Sequence, residues 1–266
     1  MTGVQTCALP IWLNKTPYYT RIALLGPAMY LLIEVAILVV TLILQPKEWA
    51  YAVIVGGIAG AVGAVIYFVR PWGLIVGVLF GLVGILFTLN GLGDNLSSPD
   101  SFFDFAYRPV IGLAAAILVL GGSIAGLVQH VRRRTSTSGP VNVTRVVKGV
   151  LGLVAVLSLT SAVLTVASVH RLSPADKDGA VTLTAFGLRY DTDTLMASAN
   201  GTTRIVFKND DLGIHTLTIA ALDVDVRAGP RSEELLELHA PKPGTYVFYC
   251  RISGHEELMR GTLIVR

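Results

Sequence analysis

Four side chains toward the C-terminal end have the types and the spacing of a metal site. Cys250, His255 and Met259 fall within the stretch CRISGHEELM, and His215 stands 35 residues before the cysteine in NDDLGIHTLTI. A thiolate, two imidazoles and a thioether make up the donor set of a copper ion that passes single electrons. The thiolate is soft enough to hold both Cu(I) and Cu(II). Two imidazoles complete a trigonal plane, and the thioether caps one axis weakly. A site that suits both oxidation states has little to rearrange when an electron arrives. Such spacings need a loop between strands, because a helix would scatter the donors around its surface.

The elements that must position them are legible nearby. After residue 178 the chain breaks into short alternating runs: VTLTAFGL, TTRIVFKN, HTLTIAAL, TYVFYC and GTLIVR. Turn signals such as Asn200-Gly201 and Pro243-Gly244 lie between them. Short, regularly spaced strands of this kind predict a β-sandwich. With the Cys-x4-His-x3-Met loop between PGTYVFYC and RGTLIVR, and with the NDD-x3-H-x-L-x-I block upstream, residues 179–266 resemble the cupredoxins, with azurin-like loop spacing. The resemblance implies a Greek-key sandwich holding one type 1 copper ion. His215, Cys250 and His255 would be its equatorial ligands and Met259 its axial one. Two positions depart from the family pattern. Ser253 replaces the proline usual before the second histidine, and Thr216 follows the first histidine where azurins carry asparagine. Neither is a donor, so both bear on the reduction potential more than on the identity of the metal.

The rest of the chain is of another kind. Of 266 residues, 53% are hydrophobic and 15% charged, and the apolar ones concentrate before residue 170. Ile22–Leu44, Trp49–Val69, Trp72–Leu92, Val110–Val128 and Val146–Val169 are each long enough to cross a hydrocarbon core as a helix. They carry no polar stripe at helical period, as a soluble bundle would. The predicted fold is therefore an α-helical transmembrane bundle of five spans followed by the all-β cupredoxin-like sandwich. The expected division is a transmembrane domain over 18–169, a linker over 170–178 and a copper domain over 179–266. Residues 1–12 stand apart. MTGVQTCALPI reads as the translation of a sequencing-library adapter begun at a GTG codon, so this stretch is expected to be an artefact and Cys7 no real thiol.

Basic residues orient the spans. With the N-terminus inside, Lys15, Arg21, Arg70, Arg132, Arg133, Arg134, Arg145 and Lys148 are cytoplasmic, while Lys47 and Arg108 are outside. The loop GDNLSSPDSFFDFAYR on the outer side is acidic. An odd number of spans then delivers the C-terminal domain to the outer face of the cytoplasmic membrane. The net charge of +3 reflects this bias of the membrane part and gives no sign of nucleic-acid binding.

Other residues have bland readings beside sharp ones. Glu34, in the first span, reads as a protonated side chain bonded inside the bundle rather than as a proton-handling group. Gly56 and Gly60, Gly73, Gly77 and Gly81, and Gly122 and Gly126 recur every four residues, which suits close helix packing within one bundle. His130 and His170 fall at opposite membrane faces, so they cannot share a haem. His239 reads as an ordinary strand or surface residue. Glu256 and Glu257 are either solvated loop charges or steering charges for a basic partner. Leu212, Ile214 and Leu258 are candidates for an apolar rim around the site.

The expected function is that of an electron carrier rather than an enzyme. Its partners would be membrane lipid and a redox protein such as a c-type cytochrome or a respiratory complex. A copper oxidase or nitrite reductase would need further histidine clusters, and the chain has five His in all. A binuclear copper centre would need a second Cys where Gly254 stands. Copper delivery or tolerance remains an alternative, as does an accessory role in a copper-dependent oxidoreductase. The first of these lacks a methionine-rich segment, since the whole chain has four Met.

Overall fold

The computed structural model describes residues 16–44, 49–69, 71–132, 136–239 and 241–266. The adapter-like stretch 1–12, Cys7, Lys15, Lys47, Arg70, Arg133 and Arg134 lie outside the described residues. The chain divides into two compact units. One comprises residues 1–89 and 111–155, the other 90–110 and 156–266.

The first unit is helical. It contains α1 (Tyr18–Leu44), α2 (Trp49–Phe68), α3 (Trp72–Leu89), α5 (Gly112–Val131) and the first part of α6 (Val141–Ala167). Among the described residues, four helices are long and apolar enough to cross a membrane, namely those over Tyr18–Val39, Trp72–Leu89, Phe102–Val131 and Val141–Ala167, with a shorter apolar helix over Ala52–Phe68. The chain thus has four to five apolar helices, and the expected five stands at the upper end of that count. Leu32, Ile54, Val83, Leu86 and Val131 point outward, the inverse of a water-soluble bundle. Small residues line the crossings instead. A Cβ on Gly122 would meet the backbone of Ala23, one on Gly73 the backbone of Val65, and one on Gly81 the side chain of Leu120. The four-residue glycine spacing is therefore internal packing at these positions, whereas Gly60 faces open space. Glu34 is buried with its Cβ close to Gly56.

The fourth apolar segment begins earlier than its hydropathy implied. Between α3 and α5 the chain forms a short helix α4 (Leu92–Leu96) and then a π-helical stretch, Phe102–Ile111, that runs directly into α5. The acidic stretch expected as a plain polar loop is thus largely helical. Asp104, Arg108 and Pro109 masked it, because two charges and a proline interrupt the apolar run.

The second unit holds eight strands in two sheets, ordered β1-β3-β6 and β2-β8-β7-β4-β5. The strands are β1 (Val181–Ala185), β2 (Thr194–Ala197), β3 (Thr202–Asn209), β4 (His215–Ile219), β5 (Val224–Ala228), β6 (Glu233–His239), β7 (Gly244–Tyr249) and β8 (Arg260–Val265). Both β1/β3 and β2/β8 pair in parallel, and the other pairs are antiparallel. Alternation turns Leu183, Ile205, Phe207 and Leu238 of one sheet onto Leu195, Leu217, Ile219, Phe248 and Leu263 of the other. Tyr190 closes this core edge-on to Phe248, 5.3 Å between centroids, and donates its hydroxyl to the Thr216 carbonyl at 2.6 Å.

Residues 170–178, expected as a simple polar tether, are bound along this unit. His170 donates its N–H to Ser232, and the Leu172 N–H reaches the buried carboxylate of Glu233 at 3.1 Å. Lys177 pairs with the same carboxylate at 2.7 Å. A capping box between Ser173 and Asp176 starts the single turn α7 (Pro174–Lys177). Arg204 then donates to the carbonyls of Asp176 and Asp178.

Candidate metal centre

Three of the four donors sit at element boundaries, where strand geometry fixes the backbone and the loop frees the side chain, and His255 lies within the loop between β7 and β8. His215 opens β4, Cys250 follows the last residue of β7, and Met259 precedes the first residue of β8. The loop from Cys250 to Met259 joins two neighbouring antiparallel strands and is held by its own backbone. The Cys250 N–H donates to the Met259 carbonyl at 2.9 Å, the Met259 N–H to the His255 carbonyl at 2.8 Å, and the His255 N–H to Ile252 at 2.9 Å. Gly254 has φ +84°, the left-handed conformation that glycine adopts without a Cβ penalty. It turns the chain so that His255 faces the thiol.

The three nitrogen and sulfur donors converge. His215 Nδ1 lies 3.9 Å and His255 Nδ1 3.6 Å from Cys250 Sγ. All three ligand atoms lie within 4.8 Å of one another. Metal bonds of about 2.0 Å to nitrogen and about 2.3 Å to sulfur, opened to roughly 120°, would separate N from S by about 3.7 Å. The spacing therefore fits one ion bound between them. Met259 is fully buried in the same apolar cluster as Cys250. Cys250 and His215 are buried and His255 is half-exposed.

Two residues whose site roles were not foreseen hold the donors in place. Asp211 Oδ2 lies 2.7 Å from His215 Nε2, so it fixes that ring nitrogen as the N–H and leaves Nδ1 free to face the thiolate. The second aspartate of the NDD block, four residues before the histidine, was its visible signal. Thr216, noted only as a departure from the azurin pattern, donates its backbone N–H to Sγ at 3.4 Å, with its hydroxyl 3.8 Å from the sulfur. That hydroxyl also accepts the Arg251 N–H at 2.9 Å, tying the two ligand-bearing segments together.

These contacts set the protonation of the metal-free site. Burial pushes the Cys250 thiol up, but hydrogen bonds from His215, His255, Thr216 and Ile252 outweigh it and bring the thiol down to about 6. Burial likewise disfavours charge on His215, yet Asp211 and the thiolate raise it to about 9. These donors favour the thiolate, the form in which the sulfur ligates a metal. Burial and the same thiolate raise Tyr190 far above its ordinary range.

The other candidates separate from this centre. Ile214 is buried and offers no accessible rim, Leu212 is half-buried, and Leu258 is exposed, as are Glu256 and Glu257. His239 ends β6 exposed, with Nδ1 3.1 Å from the Thr202 hydroxyl. His170 Nδ1 lies 2.8 Å from the Glu233 carbonyl.

No curated protein sequence matches the chain. Among solved structures, auracyanin A, a "blue" copper protein from Chloroflexus aurantiacus, is 23% identical over 33% of this chain and 98% of its own, with a TM-score of 0.28. Reduced auracyanin from Roseiflexus castenholzii is 21% identical over 34% of this chain and 98% of its own, at 0.30. A chain of a heme-copper terminal oxidase dimer is 18% identical over 46% of this chain and 99% of its own, also at 0.30. The assignment rests instead on the family model for the cupredoxin-like domain, which matches residues 153–265, and on the donor geometry. The C-terminal part of the chain is a cupredoxin-like domain, and His215, Cys250 and His255 converge within it as a metal-ligand set.

Proposed function

We propose that the protein is a membrane-anchored electron carrier, with one copper ion held equatorially by His215, Cys250 and His255 and axially by Met259. The observation that carries this reading is the pair of imidazole nitrogens 3.6 and 3.9 Å from one buried sulfur. Bound there, copper would supply a one-electron couple between Cu(II) and Cu(I). The chain's own residues do the rest. Asp211 orients His215, Thr216 donates to the sulfur, and the strand-anchored loop resists rearrangement between oxidation states. The domain would work on the outer face of the cytoplasmic membrane, exchanging electrons with a partner such as a c-type cytochrome or a respiratory complex. His255, half-exposed beside Leu258, Glu256 and Glu257, offers the route in and out.

The test is spectroscopic. Copper-loaded protein in mild detergent should show an intense thiolate-to-copper absorption band and a reversible one-electron couple. Cys250→Ser should remove both while the sandwich remains folded, because the fold rests on the buried strands. A serine variant that keeps the band would exclude Cys250 as a ligand. A wild-type protein that holds only Cu(I), or yields its copper readily to a chelator, would favour copper handling over electron transfer.

A further inference from the structure

The stretch Asn90–Val110, which joins α3 to α5, belongs to the same compact unit as the copper-like site, and its contacts fall on the residues around the donors. Asp104 Oδ2 accepts the N–H of Ile214, the residue before His215, at 2.8 Å. The same carboxylate oxygen accepts the Ser101 hydroxyl at 2.6 Å, and Ser101, Asp104 and Ile214 are all buried. A Cβ built on Gly213 would lie 3.5 Å from that carboxylate and 3.6 Å from the Phe103 ring. Asp100 forms a two-pronged pair with Arg227, at 3.0 and 2.8 Å. Arg227 is the cross-strand partner of Thr216, which donates to the sulfur. A Cβ on Gly91, whose φ is +72°, would lie 3.4 Å from Ser253. Gly213 and Ser253 each stand two residues before a ligand histidine, so one segment meets both approaches to the site.

From this arrangement we infer that residues 90–110 are a positioning element of the metal centre, with Asp104 as the positioning residue that holds the His215 strand through Ile214. The inference rests on the copper reading given above. It accounts for two features of the sequence. Ser253 stands where cupredoxins of this loop type carry proline, and Gly91 of this segment lies beside it. Two of the three aspartates of this segment, Asp100 and Asp104, meet an arginine and a backbone N–H of the sandwich. A donor shell braced on the His215 side is closed there to partners, leaving His255 as the half-exposed ligand.

Full-length Asp104→Ala, Asp104→Asn and Asp100→Ala variants test this in two ways. In the copper-free protein, amide exchange at Ile214 and His215 should quicken about tenfold or more in Asp104→Ala, the loss expected for one hydrogen bond to a charged acceptor. In the copper-loaded protein, the Cu(II) hyperfine splitting and charge-transfer band should shift. Asp100→Ala, which breaks only the half-exposed pair with Arg227, should shift both in the same direction but by less than Asp104→Ala. If Asp104→Ala fails to fold, the isosteric Asp104→Asn decides, with exchange about threefold faster or more because a neutral acceptor is weaker. Wild-type exchange and spectra in a folded Asp104 variant would overturn the inference while leaving copper binding intact. A wild-type protein that takes up no copper would overturn the copper reading instead, and the exchange measurement would still judge the bracing.

Discussion

At the scale of single residues, the site separates groups that touch the metal position from groups that hold them. Met259 belongs with the first by its place in the loop and its complete burial. Met259→Leu nearly conserves volume, so its cost in stability should stay below about 1.5 kcal/mol. Removing a weak axial donor destabilises Cu(II) more than Cu(I), so the reduction potential should rise while the charge-transfer band persists. Voltammetry of the two proteins side by side checks this, and an unchanged potential would mean that Met259 does not coordinate. Asp211 and Thr216 belong with the holding groups. Neither has the chemistry of a soft ligand, which is why the pattern of donor types alone passed over them.

At the scale of elements, the segment after α6 behaves as part of the sandwich because Glu233 gathers it. Burial raises the Glu233 carboxyl, but Lys177, the Leu172 N–H and Arg171 outweigh that and hold it below its ordinary 4.5. A carboxylate with a depressed folded value stabilises fully above its unfolded value and loses that contribution as pH falls through the folded one. Residues 170–177 should therefore stay protected from amide exchange above about pH 5 and loosen at pH values below the lowered Glu233 value. Glu233→Gln should weaken the pH dependence, leaving the part due to Asp176, and cost about 1–2 kcal/mol, since Lys177 and Arg171 are half exposed and screened. Protection factors in this segment, corrected for the intrinsic pH dependence of exchange, that ignore both pH and the substitution would show that the carboxylate does not anchor it.

At the scale of the whole molecule, the open question is the side of the membrane on which residues 170–266 work. Eight basic residues on one side of the apolar segments against two on the other argue for an outer location. A reporter fused after Arg266 should then show extracytoplasmic activity, and one inserted within 135–141 should show cytoplasmic activity. The local part of the argument depends on Arg132 to Lys148 and on the last apolar helix, so it survives a change in the number of spans before them. Cytoplasmic activity of the C-terminal fusion would remove the outer-face carrier reading.

The candidate donor set, the all-β class of the C-terminal domain and the apolar character of the helices were legible in the chain alone. Each rests on information local along the chain. Cys250, His255 and Met259 share one loop, alternation within a strand reports its buried face, and an unbroken apolar run needs no partner to be recognised. Strands β2 and β5 escaped notice because TLMA is short and VDVRA carries charges on its exposed face. The start of the fourth apolar helix was hidden by Asp104, Arg108 and Pro109. What only the tertiary structure decided are relations between residues far apart in sequence. Among these are the Thr216 donors on Sγ, the Glu233 anchor for residues 170–177 and the reach of Asp104 to Ile214 across 110 positions. Even Asp211, four residues from His215, acquires its role only when the turn before β4 brings its carboxylate to Nε2. A hydrogen bond between distant segments leaves no period and no composition bias in either one. It exists only once folding has brought both to the same place.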